Sequence, residues 1–185
     1  MDTLKTLGAV LIFAIIIIIA IFWGLKNVSA PASPAQNTLT ELDLSNKNLN
    51  ELPIEVLTDT NLKILNLSHN SLKSLPSQIG ELANLEELNL SYNELSGALP
   101  GEIRKMSKLK ILDAGNNNLT GIPAEIGQLK NLTTLSFANN NIDTMPNEIV
   151  NIKDNLKTFN LSGNKFSAVQ IETLRQQLPN TQIIY

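Results

Sequence analysis

The stretch Leu65–Ile103, LNLSHNSLKSLPSQIGELANLEELNLSYNELSGALPGEI, nearly says the same thing twice. Leu65-Asn66-Leu67-Ser68 returns as Leu88-Asn89-Leu90-Ser91 after 23 residues, and Leu75-Pro76 returns as Leu99-Pro100 after 24. Working outward, leading leucines stand at Leu39, Leu62, Leu85, Leu109, Leu132 and Leu156, in steps of 23, 23, 24, 23 and 24. Apolar residues recur three, five and ten positions after each leader, and asparagine usually eight after. A proline follows most leaders at fourteen (Pro53, Pro76, Pro123, Pro146), with Pro100 at fifteen. Apolar positions three and five alternate with polar ones, the period of a strand. One such strand cannot bury its apolar side alone. Copies stacked in parallel build a continuous core, and proline suits the return path, where no ladder hydrogen bond is needed.

The spacing resembles the leucine-rich repeat family, whose pattern is L-x-x-L-x-L-x-x-N-x-L. Leu62-Leu65-Leu67-Asn70-Leu72 and Leu85-Leu88-Leu90-Asn93-Leu95 match it throughout. Leu109-Leu112-Ala114-Asn117-Leu119, Leu132-Leu135-Phe137-Asn140-Ile142 and Leu156-Phe159-Leu161-Asn164-Phe166 match with apolar exchanges. The repeats are mostly of the 23-residue class; Leu95-Ser96-Gly97-Ala98-Leu99-Pro100 is similar to the 24-residue variant, its extra residue read as a loop insertion on the far side of the coil. The resemblance implies an α/β fold: a short right-handed horseshoe with a parallel β-sheet on its concave face. It also implies a structural asparagine ladder at Asn70, Asn93, Asn117, Asn140 and Asn164. The first repeat departs, with Lys47 at that position. The Ile-Gly-x-Leu segments imply short helical or irregular turns on the convex side.

Beyond Phe166 the period breaks. Val169, Leu174 and Leu178 suit an amphipathic helix and Thr181–Tyr185 a last strand. Residues 39–166 are therefore read as six repeats and 167–185 as a C-terminal cap.

Strand positions that alternate with the core would line the concave face in four columns. The first is Glu41, Ile64, Glu87, Ile111, Thr134, Thr158. The second is Asp43, Asn66, Asn89, Asp113, Ser136, Asn160. The third is small: Ser45, Ser68, Ser91, Gly115, Ala138, Ser162. The fourth is Asn46, His69, Tyr92, Asn116, Asn139, Gly163. The columns hold four acids and no base. The resemblance implies a protein, peptide or glycan ligand on this surface. The candidate contacts are Glu41, Asp43, Ile64, Asn66, His69, Glu87, Asn89, Tyr92, Ile111, Asp113, Asn116, Ser136, Asn139 and Asn160. His69 and Tyr92 fall at neighbouring positions on adjacent coils, and aromatic anchors tend to carry binding energy.

Catalysis finds little support. His69 is the single histidine and cysteine is absent, which removes thiolate chemistry and histidine-based metal clusters, so neither a metal nor a cofactor is expected. Glu86 and Glu87 should diverge on a strand rather than form an acid–base pair. Asn-x-Ser/Thr tripeptides at Asn66, Asn89, Asn118, Asn131 and Asn160 arise largely as by-products of the repeat. A net charge of −3 with no Lys/Arg run disfavours nucleic acid.

The amino end is of another kind. Thr6–Leu25, TLGAVLIFAIIIIIAIFWGL, holds no charge over 20 residues. As a helix it would reach about 30 Å, the thickness of a bilayer core. Lys5 and Lys26 bracket it and Trp23 sits near one end, as an interfacial aromatic would. Residues 1–26 therefore read as one transmembrane signal-anchor, and residues 27–38 (Pro31, Pro34 and small residues) as a linker. The expectation is a bacterial-type, single-pass protein with its repeats on the extracytoplasmic side, engaged in adhesion, receptor-like binding or scaffolding. Two alternatives stay open: a secreted binder after cleavage near Ala30, and a cytoplasm-facing regulatory scaffold.

Overall fold

The computed structural model describes residues 40–185; the apolar segment, the linker and Leu39 lie outside the described residues. Six short strands follow the six repeats: β1 (Glu41–Asp43), β2 (Ile64–Asn66), β3 (Glu87–Asn89), β5 (Ile111–Asp113), β7 (Thr134–Ser136) and β8 (Thr158–Asn160). With β9 (Gln182–Ile184) they form one seven-stranded sheet in the order β1-β2-β3-β5-β7-β8-β9, parallel throughout. The register is that of the repeat: Leu42, Leu65, Leu88, Leu112, Leu135, Phe159 and Ile183 stand side by side. Each strand is only three residues long, so its stability comes from neighbours in the stack rather than from its own length.

The return path is built from five 3-10 turns, at Ile54–Thr58, Ser77–Glu81, Gly101–Lys105, Ala124–Gln128 and Asn147–Ile152. Pro53, Pro76, Pro100, Pro123 and Pro146 precede them with φ between −58° and −68°. Proline supplies that φ without cost and lacks the N–H that a first turn would leave unused. The proline carbonyls accept from the N–H three residues on, as Val56 to Pro53 (3.1 Å) and Ile79 to Pro76 (3.0 Å) show. Gly80 and Gly127 permit close approach of successive turns: a Cβ at either would collide with the backbone carbonyl of Glu102 or Glu148 in the next coil.

Between sheet and turns runs a continuous core in which Leu65, Leu88, Leu112 and Leu135 are wholly buried. Ala114 and Phe137 occupy equivalent places on adjacent coils and are both wholly buried, a small residue beside a large one. The extra residue of the 24-residue repeat does not form a loop on the far side. It enters a second sheet on the flank, β4 (Ser96–Gly97) paired with β6 (Asn118–Leu119), and Gly97 takes φ +72° there. A residue inserted between strand and turn is absorbed most cheaply where backbone groups of two coils can pair.

Helix α1 (Ala168–Gln177) begins with a capping box: the Gln170 N–H donates to Ser167 Oγ (3.3 Å) and the Ser167 N–H donates to Gln170 Oε1 (2.8 Å). Leu174 and Leu178 are buried as expected, but Val169 does not face the core: it is 75% exposed, and Ile171 is buried in its place. The reason is angular. Ile171, Leu174 and Leu178 are spaced three and four apart and share a face, whereas Val169 is two residues from Ile171 and points away. No helix among the described residues is long and apolar enough to cross a membrane.

Candidate binding face on the concave sheet

The asparagines eight after each leader stitch coils together. Asn117 is buried; its Nδ2 donates to Leu90 O of the preceding coil (3.0 Å), and its Oδ1 accepts from the Leu95 N–H (3.0 Å). Asn70, Asn93, Asn140 and Asn164 bridge in the same way, to Leu44 O, Leu67 O, Ala114 O and Phe137 O. An amide both donates and accepts, so it can satisfy two orphaned backbone groups at a bend that neither helix nor sheet serves. These side chains belong to the scaffold and face inward. In the first repeat the N–H groups of Lys47 and Leu49 both reach Asn70 Oδ1 (3.0 Å each). A second asparagine ladder escaped the sequence reading. Asn84, Asn131 and Asn155, one residue before their leaders, donate to Thr60 O (2.7 Å), Ser107 O (2.7 Å) and Lys130 O (2.6 Å) of the preceding coil.

The first concave column stands in register as Glu41, Ile64, Glu87, Ile111, Thr134, Thr158 and Gln182. Glu41 is exposed and the next five are half-buried. Glu86 and Glu87 diverge: Glu86 leaves the sheet at the strand entrance, where Lys110 (2.6 Å) and Lys63 (3.8 Å) hold it. The Lys110 hydrogen bond, then the charges of Lys110 and Lys63, keep the Glu86 carboxyl below the usual carboxylate range. Lys63, Lys110 and Glu86 line, together with Glu41, Ile64, Glu87 and Ile111, a shallow open depression of about 230 Å³.

The second column is less free than its composition suggests. Oδ1 of Asp43, Asn66, Asn89, Asp113 and Asn160 accepts the N–H two residues on, at 2.9 to 3.1 Å. Each is an Asx turn that ends the strand. What remains outward is the Nδ2 of the asparagines and the second oxygen of the two aspartates. The Ser45 N–H, then the Ser45 hydroxyl and the Lys47 charge, hold the Asp43 carboxyl below its ordinary value. Ser136, the sixth member, is half-buried.

The middle of the third column does not line the face, while Ser45 and Ser162 at its ends are half-buried. Ser68, Ser91, Gly115 and Ala138 are buried where the chain bends, so small size there is a packing demand. A Cβ on Gly115 would already press on Asp113 Oδ1 at 3.1 Å and Ala138 O at 3.3 Å.

The fourth column is the informative one. All six members take positive φ: Asn46 56°, His69 56°, Tyr92 55°, Asn116 56°, Asn139 53° and Gly163 69°. Asparagine and glycine are the residues that tolerate this left-handed conformation, and they fill four of the six places. His69 and Tyr92 fill the other two. Their rings stack at 4.3 Å between centroids and 8° between planes, and Tyr92 is 51% exposed. Further along, Asn139 Nδ2 donates to Asn116 Oδ1 (2.9 Å). The structure thus groups His69 and Tyr92 with Asn116 and Asn139 along one edge of the concave sheet, with Asn66 and Asn89 in the strands beside them. Among the described residues no three of His, Cys, Asp and Glu gather as a metal site.

The leucine-rich repeat family matches over residues 37–95, 60–119, 107–151 and 155–176. Among solved structures, a leucine-rich repeat protein of Leptospira interrogans is 40% identical with a TM-score of 0.76, over 80% of this chain and 37% of that one. The ectodomain of the membrane receptor kinase GASSHO1/SCHENGEN3 from Arabidopsis thaliana, in complex with CASPARIAN STRIP INTEGRITY FACTOR 2, is 42% identical (TM-score 0.62) over 69% of this chain and 16% of that one. The plant peptide hormone receptor RGFR1 in complex with RGF2 is 32% identical (TM-score 0.58) over 63% of this chain and 19% of that one. This chain therefore spans well under two thirds of each of these proteins. Among curated proteins nothing matches it. Period, register, asparagine ladder and matches agree: the chain belongs to the leucine-rich repeat family.

Proposed function

We propose that this protein is a non-catalytic recognition module that takes a protein or peptide partner on its concave face. One observation carries the reading. Two adjacent coils place His69 and Tyr92 where the backbone favours asparagine or glycine, and the resulting stack is exposed on the face. Local strain kept at a surface calls for a use outside the fold. Two of the similar structures were solved with a partner bound, one of them a peptide hormone receptor. The face itself is a rigid platform of outward amides, carboxylates and one aromatic pair, suited to holding a partner in one register.

The test is selection of ligands on the full chain from a displayed peptide library, followed by affinity measurement against Tyr92→Ala and His69→Ala. The expected result is a loss of at least tenfold with either variant. Ligands that bind both variants as well as the parent would refute the reading.

Membrane display is part of the proposal, supported by the uncharged run Thr6–Leu25. Protease shaving of intact cells, with a tag after Tyr185, tests it. Loss of the tag from a membrane-bound, full-length species is expected. A protected tag would move the repeats to the cytoplasm, and a released species starting near Pro31 would remove the anchor.

A further inference from the structure

The strands of the repeats are parallel and in register, so all of them begin along one edge of the sheet. The residues just before the strands form a continuous row on that edge. The Lys63 N–H donates to Thr40 O (2.7 Å), that of Glu86 to Lys63 O (2.7 Å), that of Lys110 to Glu86 O (2.8 Å), that of Thr133 to Lys110 O (2.8 Å) and that of Lys157 to Thr133 O (2.8 Å). Lys108, Lys130 and Lys153 stand beside the row, between the turns and the strands they lead into. All six lysines are exposed. The repeat does not demand lysine there, since the same positions in other coils hold Glu86, Thr133, Asn84, Asn131 and Ser107.

Charge on this edge runs against that of the chain, whose net is −3. Lys63 and Lys110 share one carboxylate, Glu86 (3.8 and 2.6 Å), and Lys105 in the turn behind pairs with Glu81 (2.7 Å). Among the described residues Lys108, Lys130, Lys153 and Lys157 form no ion pair. Lys108 and Lys130 donate instead to neutral oxygens, Asn84 Oδ1 and Asn151 O (2.7 Å each). Between turn and strand in coils four to six, Lys108, Lys110, Lys130, Lys153 and Lys157 stand with a single acid, Asp154. The strand-exit flank is balanced, with Lys47, Lys73 and Lys165 against Glu51, Glu94 and Asp143. The convex turns are acidic at their starts, with Glu55, Glu102, Glu125 and Glu148.

A second observation says what lies opposite this edge. The row begins at Thr40, so the chain enters the solenoid on the edge that carries the lysines. Fourteen residues separate Thr40 from Leu25, the end of the uncharged run Thr6–Leu25. Fully extended they reach about 50 Å at most. From Thr40 to Lys157 the edge runs five strand spacings, about 24 Å at about 4.8 Å each.

We infer that the strand-entrance edge of coils four to six docks on an anionic phospholipid surface, that of the membrane in which this chain is held. The inference rests on the membrane display proposed above and adds how the repeats lie on that membrane. A solenoid tethered at its first coil alone would swivel. Lysines further along the same edge supply a second contact, which fixes its orientation. Lysine suits this contact, because a point charge on a flexible stem follows a mobile headgroup phosphate without a built pocket. Docking by the edge leaves the concave sheet uncovered for a partner.

The experiment places the full chain in nanodiscs of phosphatidylcholine, and in nanodiscs with phosphatidylglycerol added. The rate at which an uncharged, water-soluble acylating reagent modifies each lysine is read by mass spectrometry. In the anionic discs Lys110, Lys130 and Lys157 are expected to slow by about threefold or more, and added salt should restore them. Lys47, Lys73 and Lys165 should keep their rates. The double variant Lys130→Glu, Lys157→Glu should return Lys110 to its rate in neutral discs. Equal rates in the two discs, or equal slowing of Lys47, Lys73 and Lys165, would overturn the inference. So would slowing of the edge lysines by soluble polyglutamate but not by anionic discs, which would assign the edge to an acidic protein. The two readings fail separately. A chain that enters neither disc overturns membrane display and the docking with it. A chain that enters both and shows equal rates loses the docking alone.

Discussion

Replacing Asn117 by alanine tests the scaffold where its logic is densest. The side chain is 8% exposed and makes four hydrogen bonds. The loss is uneven among its partners. Leu90 O keeps a second donor in Asn93 Nδ2 (3.0 Å), Ala114 O keeps Asn140 Nδ2 (3.0 Å), and Gly115 O keeps the Tyr92 N–H (3.0 Å). The Leu95 N–H has Asn117 Oδ1 as its acceptor and, in the alanine variant, is buried with nothing in its place. An orphaned buried donor costs about 1–3 kcal/mol, and each shared bond lost about 0.5 kcal/mol or a little more. The sum is about 3 kcal/mol, a large share of the roughly 5–15 kcal/mol that holds a domain. Urea unfolding of the full chain followed by circular dichroism reads this as a lower midpoint. Asn89→Ala is the control: it removes only the Ser91 N–H and hydroxyl bonds at a half-buried site, and should cost about 1 kcal/mol or less. If Asn117→Ala costs no more than Asn89→Ala, the reasoning about orphaned groups is wrong.

Gly127→Ala should destabilise by about 1–3 kcal/mol, because the new Cβ meets the Glu148 backbone, while Gly121→Ala, with nothing within 4 Å and no positive φ, should be neutral or slightly stabilising in the same urea assay. Asp43 and Glu86 are more acidic folded than unfolded, so their contribution is present above about pH 4 and is lost as pH falls through their folded values; the urea midpoint should drop below about pH 4, and less steeply in Asp43→Asn and Glu86→Gln. Parallel declines in parent and variants would refute that assignment. The double variant His69→Asn, Tyr92→Asn should be as stable as the parent or about 1 kcal/mol more stable, since relief of two left-handed conformations (about 1 kcal/mol each) exceeds one lost stack (about 1 kcal/mol); a clear fall in midpoint would mean the pair serves the fold.

Much of this was legible in the sequence because a solenoid converts sequence offset directly into spatial register. Leu65 lies beside Leu88 because they are one period apart, and the insertion before Pro100 shifts the register of sequence without shifting that of the strands. What the spacing could not show is where the backbone turns. The third column reads as surface by strand alternation, yet the strands end after three residues, so Ser68 and Ser91 are already in the bend and buried. The Asx role of Asn66 and Asn89 is hidden for the same reason: it is a bond to a neighbour two residues on, indistinguishable in composition from an outward amide. The second ladder at Asn84, Asn131 and Asn155 depends on carbonyls of the preceding coil, which no residue type reveals. One signal was available: Asn46, Asn116, Asn139 and Gly163 in a single column spell a left-handed position.

That signal also shows how to separate scaffold from site in a repeat. At positions where backbone conformation and composition agree in every coil, the residue is explained by the fold, and its variation says little about ligands. Where one or two coils depart at an energetic cost, the fold no longer explains the residue. His69 and Tyr92 depart in residue type at a left-handed position that the other coils fill with asparagine or glycine; Glu41 and Glu87 depart in charge, on a column that coils two and four fill with isoleucine. Both departures fall on the first three coils, whereas coils four to six carry Asn116, Asn139 and Gly163 in the turn and Ile111, Thr134 and Thr158 in the first column. A partner recognised by these features therefore engages the end of the solenoid nearest the amino terminus, the end next to the linker and the apolar segment in the chain.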